Sequence, residues 1–154
     1  MSKRLLVVAH APSENTRILV DVVMDGAASV DAPAVETLWV PPLDAGPDDV
    51  LAADAVILGT TENLGYMSGA LKDFFDRTYY GVIEQKQGMP YALYVRAGLD
   101  GTGTIRGVTS IVTGLKWREV QPPVLLKGEW NPAFAESAHE LGATMATALD
   151  AGVI

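Results

Sequence analysis

The chain contains no cysteine. It therefore has no disulfide framework, no thiolate metal site and no thiol nucleophile, and it carries no mark of an oxidising compartment. Histidine is scarce: His10 and His139 are the two present, one expected at a strand end and the other on a helix, which is not a metal-ligand spacing. No metal is expected. Positive charge is in deficit, with 11 Lys and Arg against 19 Asp and Glu and a net charge of −8. Phosphate backbones and anionic membrane surfaces meet no basic patch, so neither nucleic acid nor membrane is expected as a partner. Long apolar runs are missing as well. Leu5-Leu6-Val7-Val8, close behind the N-terminus, is far too short for a signal-peptide core or a membrane span, and a cytoplasmic location is expected. The 154 residues suit a single domain, 1–154, that buries roughly two-thirds of its unfolded surface without a staple.

What the chain does have is alternation. Short runs rich in Val, Ile and Leu at Arg4 to Ala9, Ala34 to Val40, Ala55 to Gly59 and Tyr91 to Arg96, with a broken fifth at Glu119 to Leu126, read as strands. Between them lie segments of helical period. Ile18, Leu19, Val22 and Val23 stack on one face of a helix from near Asn15. Leu71, Phe74, Phe75, Thr78 and Tyr79 do so from near Met67, and Ile105, Val108, Val112 and Leu115 from near Thr104. Asn131 as N-cap and Pro132 at the first helical position announce a last helix that turns Phe134, Ala138, Leu141, Met145 and Leu149 inward. Pro-Pro pairs at 41–42 and 122–123, and Asp44-Ala45-Gly46-Pro47, mark loops or strand breaks. Strand and helix in strict alternation predict an α/β protein with a parallel sheet covered by helices on both faces.

Ligands of such sheets sit beyond the carboxyl ends of the strands, which directs attention to three loops. The first, His10-Ala11-Pro12-Ser13-Glu14-Asn15-Thr16, brings hydroxyls, an amide and backbone N–H groups to a helix N-terminus, where an anion is favoured. It is a phosphate cradle without a lysine. No G-x-G-x-x-G and no Gly-Lys-Ser/Thr follows the strand, so dinucleotide and triphosphate fingerprints are absent. Ser13 and Asn15 would serve equally as plain helix caps.

The second loop runs Gly59-Thr60-Thr61-Glu62-Asn63-Leu64-Gly65-Tyr66-Met67 and continues Ser68-Gly69-Ala70-Leu71-Lys72-Asp73-Phe74-Phe75-Asp76 into a helix. That junction resembles the flavodoxin-like NAD(P)H-dependent FMN and quinone reductases, and the first loop is similar to the His-Pro…Ser-x-Asn pattern of the quinone reductases and the Thr-Gly-Asn-Thr loop of flavodoxins. The third loop, Ala97-Gly98-Leu99-Asp100-Gly101-Thr102-Gly103, corresponds to that family's glycine-rich loop around the polar edge of the flavin. The resemblance departs at Glu14, where flavodoxins usually have glycine, and at Pro12.

The resemblance implies a flavodoxin-like three-layer sandwich with a five-stranded sheet of order 2-1-3-4-5. It implies FMN held by His10, Ser13, Asn15 and Thr16, by Thr60, Thr61, Glu62, Asn63, Leu64, Gly65, Tyr66 and Met67, and by Ala97, Gly98, Leu99, Asp100, Gly101 and Gly103. The flavin carries the chemistry, so no catalytic side chain is required. Backbone N–H groups from Gly98 to Gly101 would stabilise negative charge at the pyrimidine end of the ring, Tyr66 would stack on it or pack as an ordinary aromatic, and Glu62 reads as a solvated loop residue. The expected activity is NAD(P)H-dependent electron transfer to a quinone or similar small acceptor by a homodimer. The alternative is a flavodoxin-type single-electron carrier without turnover of its own. A phospho-receiver domain would need acidic residues where His10 and Gly59 stand, and a serine hydrolase would need serine at the centre of Gly65-Tyr66-Met67-Ser68-Gly69.

Overall fold

The structure, a computed structural model, describes residues 2–154. Strands β1 (Lys3–Ala9), β2 (Val35–Trp39), β3 (Ala55–Asn63) and β5 (Pro90–Ala97) pair in parallel in the order β2-β1-β3-β5. Two short strands, β6 (Arg118–Glu119) and β7 (Val124–Lys127), both pair in parallel with β5 at the edge. This is the expected order, with the fifth strand in two pieces. Pro122 and Pro123 lie in the gap, where their missing N–H groups could not have joined the ladder.

Helices α1 (Glu14–Ser29) and α5 (Pro132–Ala151) cover one face of the sheet, while α3 (Gly69–Val82) and α4 (Thr102–Gly114) cover the other. Strand β1 shows why both faces close. Leu5, Val7 and Ala9 pack toward α1 and α5, whereas Leu6 and Val8 pack toward α3 and α4, as the two-residue period of a strand requires. The start of α5 is as expected, with Asn131 accepting from the Ala133 N–H at 2.9 Å ahead of Pro132.

Four expectations are corrected. The inward stripe of α1 is Thr16, Leu19, Val20, Val23, Gly26 and Ala27, with Ile18 left 38% exposed and Val22 half-buried. The stripe turns because its closest contact is made by a residue without a side chain. A Cβ on Gly26 would lie 2.0 Å from the His139 carbonyl oxygen, and one on Gly142 would lie 2.0 Å from the Val23 carbonyl oxygen. Helices α1 and α5 thus touch backbone to backbone, and a pattern built on large apolar residues gives glycine no weight. Second, the loop after β2 contains a short helix, α2 (Pro47–Leu51). Arg77 of α3 fixes the approach to it by donating to the Ala45 and Pro42 carbonyls, both at 2.9 Å, while pairing with Asp73.

Third, β3 does not stop at Gly59. Thr60 and Thr61 continue alongside Val95 and Arg96 of β5, and Glu62 and Asn63 pair antiparallel with a two-residue strand, β4 (Tyr66–Met67). The turn is Leu64-Gly65, with φ of 54° and 77°. A two-residue hairpin of type I′ needs positive φ at both positions, and leucine in the first of them hides that signal in the sequence. Fourth, α3 begins at Gly69 behind Ser68, whose hydroxyl accepts from the Leu71 N–H at 3.1 Å, so Met67 belongs to a strand and is buried.

At the carboxyl end of the sheet the ring of Tyr94 lies across Gly59, where a Cβ would come within 2.3 Å of it. The Tyr94 hydroxyl is buried and has no hydrogen-bond partner among the described residues, and burial pushes this phenol far above its ordinary range. A buried hydroxyl without a partner is a net cost of about 1–3 kcal/mol. Tyr94→Phe is therefore expected to leave the melting temperature unchanged or raise it. A drop equivalent to more than about 1 kcal/mol would show that the hydroxyl has a partner in solution.

Candidate functional site

The three loops meet at the carboxyl edge of β1, β3 and β5. At the end of β1 the His10 N–H donates to the Gly59 carbonyl at 2.9 Å, and the Trp39 indole donates to the Ala9 carbonyl at 3.0 Å. The Arg17 guanidinium stacks on Trp39 at 4.7 Å from its ring and pairs with Asp21, so it braces the loop. His10 is half-buried, and burial pushes its imidazole below the ordinary value near 6.5. It is neutral at pH 7, and its Nδ1 is buried without a partner among the described residues.

Ser13 caps α1, and it does so reciprocally with Thr16. The Thr16 N–H donates to Ser13 Oγ at 3.2 Å and the Ser13 N–H donates to Thr16 Oγ1 at 2.9 Å, while Thr16 Oγ1 donates to the Ser13 carbonyl at 3.0 Å. Thr16 is buried and its proton is committed, whereas Ser13 is exposed with its hydroxyl 2.9 Å from Thr16 Oγ1. The first-turn N–H groups of Glu14 and Asn15 have no acceptor within the helix. An anion at this point would meet those two amides and the Ser13 hydroxyl.

The loop after β3 is an ordered hairpin that leans on α4. A Cβ on Gly103 would lie 2.2 Å from the Gly65 carbonyl oxygen, and one on Gly107 would lie 2.4 Å from the Tyr66 ring. Tyr66 therefore packs on Gly107. Thr60 is buried, donating to the Thr61 carbonyl at 2.8 Å and accepting from the Ser68 N–H at 3.0 Å. Thr61 donates to Asn63 at 2.9 Å. Glu62 is not a solvated loop residue. It is half-buried, and its carboxylate accepts from the Gly101 N–H and, at 3.4 Å, from the Leu99 N–H.

The residues named from the sequence thus sort into three groups. Ser13, Asn15, Asn63, Leu64, Gly65, Tyr66, Gly98, Leu99 and Asp100 are exposed, while His10, Thr61, Glu62 and Gly103 are half-buried. Thr16, Thr60, Met67, Ala97 and Gly101 are buried, so they hold the loops in shape. Arg96 was not among them. It stands at the end of β5, donates to the Ala97 and Leu126 carbonyls at 2.7 and 3.1 Å, and stacks on Phe134. An arginine closing an otherwise apolar strand is the signal that marks it.

A flavin mononucleotide fits this edge in three respects. The head of α1 offers donors to a phosphate. Space above Gly98 is open, since a Cβ there would meet nothing within 4 Å. Leu64 and Leu99, fully and 84% exposed on the two other loops, offer apolar surface to a flat ring. The fourth element, the amides of Leu99 and Gly101, faces an anion that is already there, the Glu62 carboxylate.

Sheet order, paired helical layers and the three loops at the carboxyl edge together define a flavodoxin-like α/β fold. The sequence is 29% identical over 112 residues to a flavodoxin of Aquifex aeolicus, a match covering 73% of this chain and 60% of that protein. An archaeal flavodoxin structure superposes with a TM-score of 0.77 at 17% identity, over 94% of this chain and 96% of that one. A flavodoxin, WrbA-like protein from Agrobacterium tumefaciens gives 0.75 at 19% identity, over 95% and 96%. No family model matches the sequence. No helix among the described residues is long and apolar enough to cross a membrane.

Proposed function

We propose that the chain binds FMN at this edge and works as an NAD(P)H-dependent oxidoreductase that passes electrons to a quinone or similar small acceptor. The observation that carries the FMN reading is the presence of two donor-bearing turns at the carboxyl edge, the Ser13-capped head of α1 and the turn before α4 with the Leu99 and Gly101 amides. Bound there, the flavin supplies the hydride or electron transfer, and the protein supplies binding, orientation and electrostatics. The same reading takes two copies of the chain as the working unit and the cytoplasm as its location.

What favours a reductase over a carrier is the position of Tyr66. A nicotinamide has to lie flat against the ring for hydride transfer, and the one aromatic side chain of the hairpin is drawn onto Gly107 of α4. The similarity to flavodoxins favours the second reading, a single-electron carrier. The two are separated by mixing the FMN-loaded protein with NADH or NADPH without oxygen. The reductase reading expects the flavin absorbance to bleach within the mixing experiment and to recover when a quinone is added. Bleaching by dithionite alone would assign the carrier.

A further inference from the structure

The amides at the head of α4 already hold an anion from within the chain. Gly101 is the N-cap of α4, sits at a φ of 77° and has no side chain to cap with. The N–H of Gly101, which opens α4, is served instead by Glu62 of β3, whose carboxylate also takes the Leu99 N–H two residues before the cap. The contact is not incidental to a loose loop. Glu62 is paired with Met67 across the hairpin, the Gly65 carbonyl presses on Gly103, and Tyr66 presses on Gly107. The hairpin is thus docked along α4 with its carboxylate already aligned on the amides.

We propose that Glu62 is a resident plug, an internal anion that occupies the amides meant for the polar edge of FMN and that must swing out before the flavin can be received. The proposal rests on the FMN reading above. Each N–H of the pair serves one acceptor well at a time, and a carboxylate left in place would face the negative pyrimidine end of a reduced ring. Glu62 is half-buried, so the side chain has a path to water. A protein whose binding-competent arrangement is a minor fraction shows an affinity reduced by that fraction. Swinging out gives up the charge-assisted bond from Gly101, the 3.4 Å contact from Leu99 adding little, which sets the fraction near one-tenth.

The test is a fluorescence-quench titration with FMN on the wild type, Glu62→Ala and Glu62→Gln, with the melting temperature of each measured without FMN. Glu62→Ala is expected to bind FMN about tenfold more tightly and, ligand-free, to melt lower, because the head of α4 has lost its anion. Glu62→Gln keeps an acceptor without the charge and should fall between the two on both scales. A merely structural role would move both readings the same way, toward lower stability and weaker binding. FMN affinity equal to or weaker than wild type in Glu62→Ala overturns the proposal while leaving the FMN reading intact. If that variant does not fold, Glu62→Gln decides by the same comparison. Absence of FMN binding in all three proteins removes the FMN reading and this proposal together.

Discussion

Gly26→Ala is expected to lower the melting temperature by roughly 4–8 °C. In an ordinary helix the substitution would gain about 1 kcal/mol from propensity. Here the added methyl group would lie 2.0 Å from a backbone oxygen of α5, and no rotamer change relieves a clash with backbone. Forced separation of packed elements costs about 1–3 kcal/mol and sometimes more, and at the upper end it outweighs the propensity gain by about 2 kcal/mol. Each kcal/mol moves the midpoint of a chain this size by roughly 2–4 °C. Gly142→Ala should behave alike, since its methyl would meet the Val23 carbonyl at 2.0 Å. The double variant should cost clearly less than the sum, because one separation of α1 from α5 accommodates both methyl groups. Gly69→Ala, where a Cβ meets nothing within 4 Å at the start of α3, is the control and should be neutral or raise the melting temperature. Full additivity of the two buried substitutions would mean that the helices do not move as units.

A second substitution has a larger effect on binding than on stability. Ser13→Asp keeps a side-chain acceptor at the N-cap of α1, where aspartate ranks with serine, and adds a negative charge that the helix dipole favours. The ligand-free protein should melt within a degree or two of wild type. If the FMN phosphate lies at the head of α1, the same charge opposes it at hydrogen-bond range, and the Ser13 hydroxyl no longer donates to it. Repulsion between unit charges 4 Å apart near a protein surface is about 4 kcal/mol, so the FMN dissociation constant should rise by about a hundredfold or more. A melting curve and a quench titration on one preparation give both numbers. Unchanged affinity would place the phosphate elsewhere.

The strands and both helical layers were legible in the sequence because each depends on patterns of large apolar residues, whereas the strand order came with the resemblance to the flavodoxin-like reductases. The three loops were legible because they follow strand ends. What escaped has a common cause. The helix contact at Gly26 and Gly142 depends on the absence of side chains, and the hairpin at Leu64-Gly65 depends on a backbone conformation that leucine seldom adopts. The role of Glu62 depends on amides of Leu99 and Gly101, far along the chain. Thr60 and Thr16 lie at the carboxyl edge with their hydroxyls engaged inside the loops, which only the fold reveals.

The divided strand at the sheet edge bears on how copies of this molecule meet. An uninterrupted outer strand offers a row of free N–H and C=O groups to any extended segment that comes by, and is a route to aggregation. Here that row is broken into two residues of β6 and four of β7, with Pro122 and Pro123 between them presenting no N–H at all. Another chain laid along this side would lose its register after a few bonds. The break that interrupts the fifth strand is thus also a guard against sheet extension on the side of the sheet away from β2.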